Sequence, residues 1–370
     1  MIKKSALVLI LLVLVLAFSG ISAVQAGSNL SIVSSSVETD FPASLTFNIS
    51  ARSDANITDI RLSYQVERLE HARVVSEIFL PVSPATSVTT QWVWDMRMTG
   101  GLPAGSGVDY WWTVSDAAGN KLETVPERVF IEDSRYSWKS ITEGDVTLYW
   151  YRGDDSFAGE LMEATQEALT QLKANTGAEL ERPVSLYIYA NSSDLQGAMI
   201  FAQEWTGGVA FTQYGIIAIG IGTSAGEVAW GNRTIPHELT HLVIHQVVFN
   251  PYNDLPTWLD EGLAMNAEGA LDTQFTSSLS SARSRGSLIS LRSLSSPFSA
   301  YADQSILAYA ESYEAVTYLI DNYGREKMFD LLQAFRKGSG YDQALKGVYG
   351  FDMDGLDSLW RASPAAVPVP

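Results

Sequence analysis

A pair of histidines four residues apart flanks a glutamate in the stretch PHELTH, residues 236–241. On an α-helix, positions i and i+4 share one face and lie about 6 Å apart along the axis, so the imidazoles of His237 and His241 can close on one metal ion. Zinc accepts histidine nitrogens at about 2.0 Å and is the metal that this pattern favours. Glu238 lies about 100° around the helix from His237, where its carboxylate can act as a base toward water. Pro236 is expected in the first turn of this helix, where its missing N–H costs nothing.

The pattern needs a third ligand before it indicates a metal site, because an ordinary core helix with hydrogen-bonded histidines is the alternative interpretation. The chain has no cysteine and only four histidines, which leaves histidine or carboxylate as the ligand. His245 continues the spacing, but it lies about 12 Å along the axis from His237, too far to share one ion. We therefore interpret His245 as a packing residue or as a partner of a ligand. The fourth histidine, His71, lies in a β-rich region and is expected to have no partner.

A better third ligand is found in the stretch LPTWLDEGLAMNAEG, residues 255–269. Thr257 and Asp260 form a pattern close to a capping box, which predicts the start of a second helix. Glu261 lies in the first turns of that helix, 20 residues after His241. A connection of that length can bring the second helix antiparallel to the first, with Glu261 facing the metal.

The sequence HELTH followed by PTWLDEGLA resembles the gluzincin metallopeptidases, in the peptidase-MA-like group related to thermolysin and to the leukotriene A hydrolase type of aminopeptidase. The resemblance covers roughly residues 138–360. It implies one zinc ion per chain, held by His237, His241 and Glu261, with Glu238 as the general base.

The resemblance also implies a substrate strand and an oxyanion donor. The stretch GGVAFTQYGIIAIGI begins 30 residues before His237 and occupies the place of the family's edge strand, which pairs with an extended substrate. The substrate-binding residues implied in this way are Gly208, Val209, Ala210 and Phe211. The stretch AYAESYEAVTYLIDNYG resembles the helix that carries the donor tyrosine, which indicates Tyr309, with Tyr313 one turn later as the second candidate. A packing role is the alternative for Tyr309.

Two departures from the family pattern affect the expected activity. The position four residues after the glutamate ligand, an aspartate in the thermolysin pattern, is Met265, so the partners that orient the histidines are not predicted. The Gly-x-Met-Glu-Asn motif of aminopeptidases is missing, since the stretch at residues 197–199 lacks its glutamate and asparagine. The expected activity is therefore that of a zinc endopeptidase. The alternatives are an aminopeptidase, or a zinc-containing cell-surface binding protein that keeps the fold without turnover.

The elements that must position these residues divide the chain into two units. Polar and apolar residues alternate over residues 27–135, and about seven short strands predict an immunoglobulin- or fibronectin-like β-sandwich. A gluzincin-like unit is predicted over residues 136–361, with an α+β part at 136–269 that holds the zinc helix and a helical part at 270–361. Residues 362–370 are expected to form a disordered tail.

Charge and the N-terminal segment restrict the partners and the location. The net charge of −18 gives a surface that repels nucleic acid and anionic membranes. The resemblance to the gluzincin metallopeptidases implies a peptide or protein substrate as the partner. Residues 1–26 have a basic start, a 13-residue apolar run and a small residue at the end, which is typical of a secretory signal. The run falls short of the roughly 20 residues that span a membrane. We expect a secreted or extracytoplasmic protein, attached to a membrane only if this segment stays uncleaved. The oligomeric state is not predicted.

Overall fold

The computed structural model describes residues 29–201, 207–299 and 301–363. The predicted signal segment, residues 1–26, lies outside the described residues. So do residues 364–370, most of the predicted tail.

Seven antiparallel strands form the β-rich N-terminal part of the chain. They are β1 (Ser31–Asp40), β2 (Ser44–Val66), β3 (Ser76–Leu80), β4 (Ala85–Asp95), β5 (Gly107–Asp116), β6 (Lys121–Glu123) and β7 (Glu127–Phe130). The expectation of short strands is wrong for β2, which runs for 23 residues. Its first half pairs with β1 and β4, and its second half pairs with β3 and β5. The alternation of buried residues changes phase between Ile57 and Ile60, where the pairing with β5 has a register shift and the partners change.

A second sheet of five strands begins the remainder of the chain. Its strands are β8 (Lys139–Glu143), β9 (Val146–Trp150), β10 (Val184–Tyr189), β11 (Gly208–Phe211) and β12 (Ile216–Gly220), in the order β11-β12-β10-β9-β8. The three central strands are parallel, and the two outer strands run antiparallel to their neighbours. The hairpin from β11 to β12 leaves β11 at one edge of the described sheet.

Helices pack against this sheet and form the C-terminal part. They are α1 (Asp155–Thr176), α2 (Ser192–Gln196), α3 (Ala225–Val247), α4 (Thr257–Ala267), α5 (Thr273–Arg285), α6 (Ala302–Arg336), α7 (Tyr341–Tyr349) and α8 (Met353–Ala362). Gly324, at φ 79°, interrupts α6. None of the described helices is both long enough and apolar enough to cross a membrane.

One expectation about where a helix starts and one about how a helix is capped are wrong. Pro236 lies inside α3, which begins three turns earlier at a capping box formed by Ser224 and Glu227. Thr257 is the first residue of α4, but no side chain caps this helix, and the Thr257 hydroxyl lies 3.4 Å from the carbonyl of Ser295. In both cases a tertiary neighbour or a stronger cap upstream outweighs the local signal.

Helices α3, α4 and α6 pack closely around one buried cluster. Gly262 of α4 meets α6 so tightly that a Cβ there would lie 2.4 Å from the carbonyl oxygen of Ser312. A real Cβ does not approach backbone that closely, so glycine is required for this crossing. The crossing presses α4 against the rest of the helical part and sets the position of the residue beside it, Glu261.

Contacts join the β-rich part to the remainder of the chain. The expectation that His71 has no partner is wrong, because its ring stacks on Phe249 with 3.8 Å between centroids and 7° between planes. The N–H of Leu69 donates to the carbonyl of Gln213 at 2.6 Å. Leu69 and His71 both lie in the connection between β2 and β3. This connection therefore contacts the second unit.

Candidate metal centre

Two neighbouring helices bring three ligand atoms together. The Nε2 atoms of His237 and His241, on α3, lie 3.3 Å apart. The Oε2 atom of Glu261, on α4, lies 3.6 Å from each of them. The spacing of the motif puts both imidazoles on one face of α3, and the antiparallel packing of α4 supplies the carboxylate.

The dimensions of this triangle fit a tetrahedral zinc site. Bonds of about 2.0–2.1 Å give ligand-to-ligand edges of about 3.3–3.4 Å in a tetrahedron. Glu261 Oε2 is buried and has no hydrogen-bond partner among the described residues. Buried carboxylate oxygens without a partner are costly, and a cation inside the triangle would satisfy this one. The donor set of two imidazoles and one carboxylate is also one that zinc uses when a position stays open for chemistry.

Two further carboxylates hold the opposite edges of the imidazole rings. Glu268 Oε1 lies 2.6 Å from Nδ1 of His237, and Asp260 Oδ1 lies 3.0 Å from Nδ1 of His241. With each Nδ1–H donating to a carboxylate, both Nε2 lone pairs point into the triangle. Sequence reasoning missed Glu268, although it lies seven residues after Glu261 and therefore on the same face of the helix.

Asp260, which the sequence assigned to a helix cap, interacts with both His241 and His245. Burial alone would lower the pKa of His241, but the charge and hydrogen bond of Asp260 outweigh it and raise the pKa well above the usual value. Burial likewise opposes ionisation of Asp260, and His241 more than compensates, so the pKa of Asp260 is lowered. Asp260 is therefore kept as a carboxylate that can orient an imidazole.

His245 contacts the carboxylate of Asp260, which in turn orients the proposed ligand His241. Its Nε2 lies 3.1 Å from Oδ2 of Asp260. His241, His245 and Asp260 form a second group close enough to hold a metal ion. The atoms of that group already pair with one another, whereas Glu261 Oε2 in the first group has no partner. The first group is therefore the better candidate.

Arg233 extends the network away from the triangle. It lies one turn before His237 on α3, and its guanidinium is 3.6 Å from Oε2 of Glu268 and 2.7 Å from Oδ1 of Asp272. A carboxylate held between an arginine and an imidazole loses much of its freedom to rotate. Glu268 is thereby fixed where it can orient His237.

Glu238 faces the edge strand. Its carboxylate accepts a hydrogen bond from the N–H of Ala210, and a Cβ at Gly208 would lie 3.0 Å from its Oε1. Burial raises the pKa of Glu238, while the two imidazoles and the Ala210 N–H act in the opposite direction. β11 spans Gly208–Phe211, the four residues expected for the substrate strand, and no described strand pairs with its outer side.

The two candidate tyrosines have different surroundings. Burial raises the pKa of Tyr309, and the charges of Glu261 and Glu238 raise it further. Burial also raises the pKa of Tyr313, but that hydroxyl is hydrogen-bonded to Thr317, away from the site carboxylates. Tyr309 is therefore a neutral phenol in the electrostatic field of the site, able to donate a proton in a hydrogen bond. Its catalytic role stays a prediction.

Comparison with known proteins identifies one family. The sequence pattern of the Peptidase MA superfamily matches residues 164–366, which is more than half of the chain and includes every residue of the metal centre described above. A search of the curated proteins gave no match.

Among solved structures, the chain is similar to an aminopeptidase N family protein from Idiomarina loihiensis, with 11% identity and a TM-score of 0.40 over 85% of this chain and 73% of the other. It is also similar to aminopeptidase A from Legionella pneumophila, with 10% identity and a TM-score of 0.37 over 90% of this chain and 50% of the other. OgpA from Akkermansia muciniphila matches at 9% identity and a TM-score of 0.20, over 27% of this chain and 29% of the other. The chain thus spans half or less of the length of the last two, and at these TM-scores the likeness carries no argument.

Proposed function

The chain belongs to the Peptidase MA superfamily, and from that premise we propose that it is a zinc-dependent metallopeptidase that cleaves peptide bonds internally. The family predicted from the sequence is thereby confirmed. The observation that carries the proposal is the triangle of His237 Nε2, His241 Nε2 and Glu261 Oε2, with edges of 3.3, 3.6 and 3.6 Å. One partly buried carboxylate, Glu238, lies between this triangle and an edge strand.

The residues divide the work of hydrolysis between them. Bound zinc would supply Lewis acidity, which polarises a carbonyl group and makes water a nucleophile near neutral pH. Glu238 accepts the proton of the attacking water and passes it to the leaving amine. Tyr309 donates a hydrogen bond to the carbonyl oxygen as negative charge gathers there. Glu268 and Asp260 hold the two imidazoles in one tautomer throughout.

The backbone of β11 is suited to an extended substrate. The N–H of Gly220 donates to the carbonyl of Gly207 at 2.9 Å, so residues 207, 209 and 211 direct their backbone groups toward β12. Gly208 and Ala210 then direct theirs outward, and the Ala210 N–H is the one that reaches Glu238. A peptide aligned with this edge would pass beside the general base. Main-chain pairing of this kind accepts many sequences.

The surrounding carboxylates favour an endopeptidase over an aminopeptidase. An aminopeptidase holds the α-ammonium group of its substrate with a carboxylate. Here Glu268 pairs with His237 and Arg233, Asp260 pairs with two histidines, and Glu261 faces the two Nε2 atoms. Each of these carboxylates already contacts residues of the metal centre, so we infer that none of them binds the free N-terminus of a substrate.

We also propose that the β-rich part is a fibronectin-like sandwich and that the protein is exported. The sandwich is supported by the two halves of β2, which pair with different strands while Phe47 of the first half and Leu62 of the second share one buried cluster. Export is supported by the composition of residues 1–26. Mass spectrometry of the purified native protein tests it, since cleavage should leave Gly27 at the N-terminus.

The proposal is tested by comparing the wild type with Glu238→Gln on N-terminally blocked peptides. We expect the wild type to contain one zinc per chain and to cleave the blocked peptides, and we expect the variant to keep its zinc and lose cleavage. Retained cleavage in the variant would remove Glu238 from the role of base. Zinc without any cleavage in the wild type would favour the alternative, a binding protein that keeps the fold. Cleavage that requires a free N-terminus and releases one residue at a time would identify an aminopeptidase.

A further inference from the structure

An apolar cavity of about 300 Å³ lies where the β-rich part meets strand β11. One wall is the loop at residues 100–103, together with Pro42. The other wall is the segment at residues 198–201, which precedes β11, and the side chains of Val209 and Phe211. All of the lining residues are apolar or glycine, and they come from both units of the chain. The cavity therefore exists only because the two units are in contact.

The cavity and the metal centre lie on opposite faces of the edge strand. Gly208 and Ala210 lie on the α3 face, since a Cβ at Gly208 would lie 3.0 Å from Glu238 and Ala210 packs against the same cluster as α3. Side chains alternate along a strand, so Val209 and Phe211 point to the other face. Both pack there against the cluster formed by Tyr189 and its neighbours. A peptide paired with β11 would place every second side chain on this face, with its Cβ about 4.5–5.5 Å from that of Val209 or Phe211.

The loop of the β-rich part is held tightly against the second unit. A Cβ at Gly101 would lie 2.9 Å from Cγ1 of Ile200, and Gly101 has a φ of +84°, which side chains rarely adopt. The loop thus approaches Ile200 as closely as a glycine permits. Phe201, beside it, is 75% exposed, so the rim of the cavity presents a large apolar side chain to solvent. An exposed aromatic at the rim of an apolar cavity is typical of a binding site.

We propose that this cavity is a substrate subsite, in which the β-rich part helps to select peptides with a large apolar side chain at one position. The inference rests on the proposed function and goes beyond it, because it assigns a role in specificity to the N-terminal unit. A volume of about 300 Å³ is at the lower end for ligand pockets and suits one side chain such as leucine or phenylalanine. Burying such a side chain favours the apolar peptide by about 10- to 100-fold in kcat/KM over one with serine at that position.

The test is a comparison of cleavage preferences between the wild type and Ile200→Asp. Peptides with leucine, phenylalanine, serine or lysine at each position around the cleaved bond are assayed with both proteins. We expect the wild type to prefer leucine or phenylalanine at one position by about 10- to 100-fold. We expect Ile200→Asp to lose that preference and to favour lysine at the same position, because a carboxylate in the cavity attracts an ammonium group. If Ile200 had only a structural role, Ile200→Asp would not change the preference from leucine or phenylalanine to lysine.

Two more variants complete the design. Ile200→Ala shortens the side chain without adding charge and should reduce the apolar preference while the zinc content stays at one per chain, so it carries the test if Ile200→Asp does not fold. Phe79→Asp is the matched control, because Phe79 is 57% exposed on β3 and does not line the cavity. It should leave every preference unchanged. Cleavage by the wild type with preferences that neither Ile200 variant alters would overturn the subsite and leave the metallopeptidase intact. A zinc-loaded wild type that cleaves no peptide would overturn both proposals.

Discussion

Replacing Glu268 should weaken zinc binding even though Glu268 is not one of the three proposed ligands. Its Oε1 lies 2.6 Å from Nδ1 of His237, and its other oxygen lies 3.6 Å from Arg233. Without this carboxylate, His237 loses the acceptor that fixes its tautomer and makes its Nε2 more basic. Partners of this kind typically contribute 10- to 100-fold to metal affinity, and we expect Glu268→Ala to fall in that range.

A second substitution separates charge from hydrogen bonding. Glu268→Gln keeps an oxygen that can accept from Nδ1–H but removes the negative charge. Hydrogen bonds to charged groups contribute about 1.5–3 kcal/mol, against about 0.5–1.5 kcal/mol for neutral pairs. The loss is therefore about 1–1.5 kcal/mol, which corresponds to about a tenfold weaker zinc Kd. The glutamine variant should thus lie between the wild type and the alanine variant.

The assay is competition for zinc with a chelator of known affinity, supported by kcat/KM on a blocked peptide at saturating zinc. Asp272→Asn is the matched control, because Asp272 contacts Arg233 at 2.7 Å and does not contact His237. We expect it to change the zinc Kd by less than about twofold. If Glu268→Ala binds zinc as tightly as the wild type, the orientation of His237 does not depend on this contact and the reasoning is refuted.

Two other predictions concern α6. Tyr309→Phe should keep its zinc and lower kcat by about 10²–10³ with little change in KM, while Tyr313→Phe stays within about threefold of the wild type; steady-state kinetics with the opposite ranking would move the donor one turn along the helix. Glu311 is fully buried, accepts a hydrogen bond from the Ile289 N–H at 3.0 Å, and has its pKa raised to about 7 by burial. The folded state therefore keeps the proton at pH values where the unfolded chain has lost it, so stability falls as pH rises from 4.5 to about 7. Denaturant unfolding measures the free energy of unfolding of the wild type and of Glu311→Gln at each pH. The variant's free energy of unfolding should rise relative to that of the wild type by on the order of 3 kcal/mol between the two ends of that window. Parallel pH profiles for the two proteins would show that Glu311 titrates normally.

The sequence alone identified the family and predicted the residues of the metal centre. His237 and His241 share a face of α3 because the helical period is a local property, independent of what the helix packs against. The choice of Glu261 followed from the absence of cysteine and from the order of the two motifs. The structure brings these three residues together, and their role as ligands stays a prediction that elemental analysis can test. The edge strand at Gly208–Phe211 was located in the same way, by order along the chain.

Only the tertiary structure decided which groups support that centre. Asp260 carries a capping signal in the sequence, yet α4 turns it toward His241 and His245. Glu268 shares a helical face with Glu261, but whether that face meets His237 depends on how α4 lies against α3 and α6. The stacking of His71 on Phe249 and the cavity beside β11 join residues that lie far apart in the sequence. Periodicity and capping report forces within a few turns of chain, whereas these contacts depend on the packing of whole elements, which local patterns do not encode.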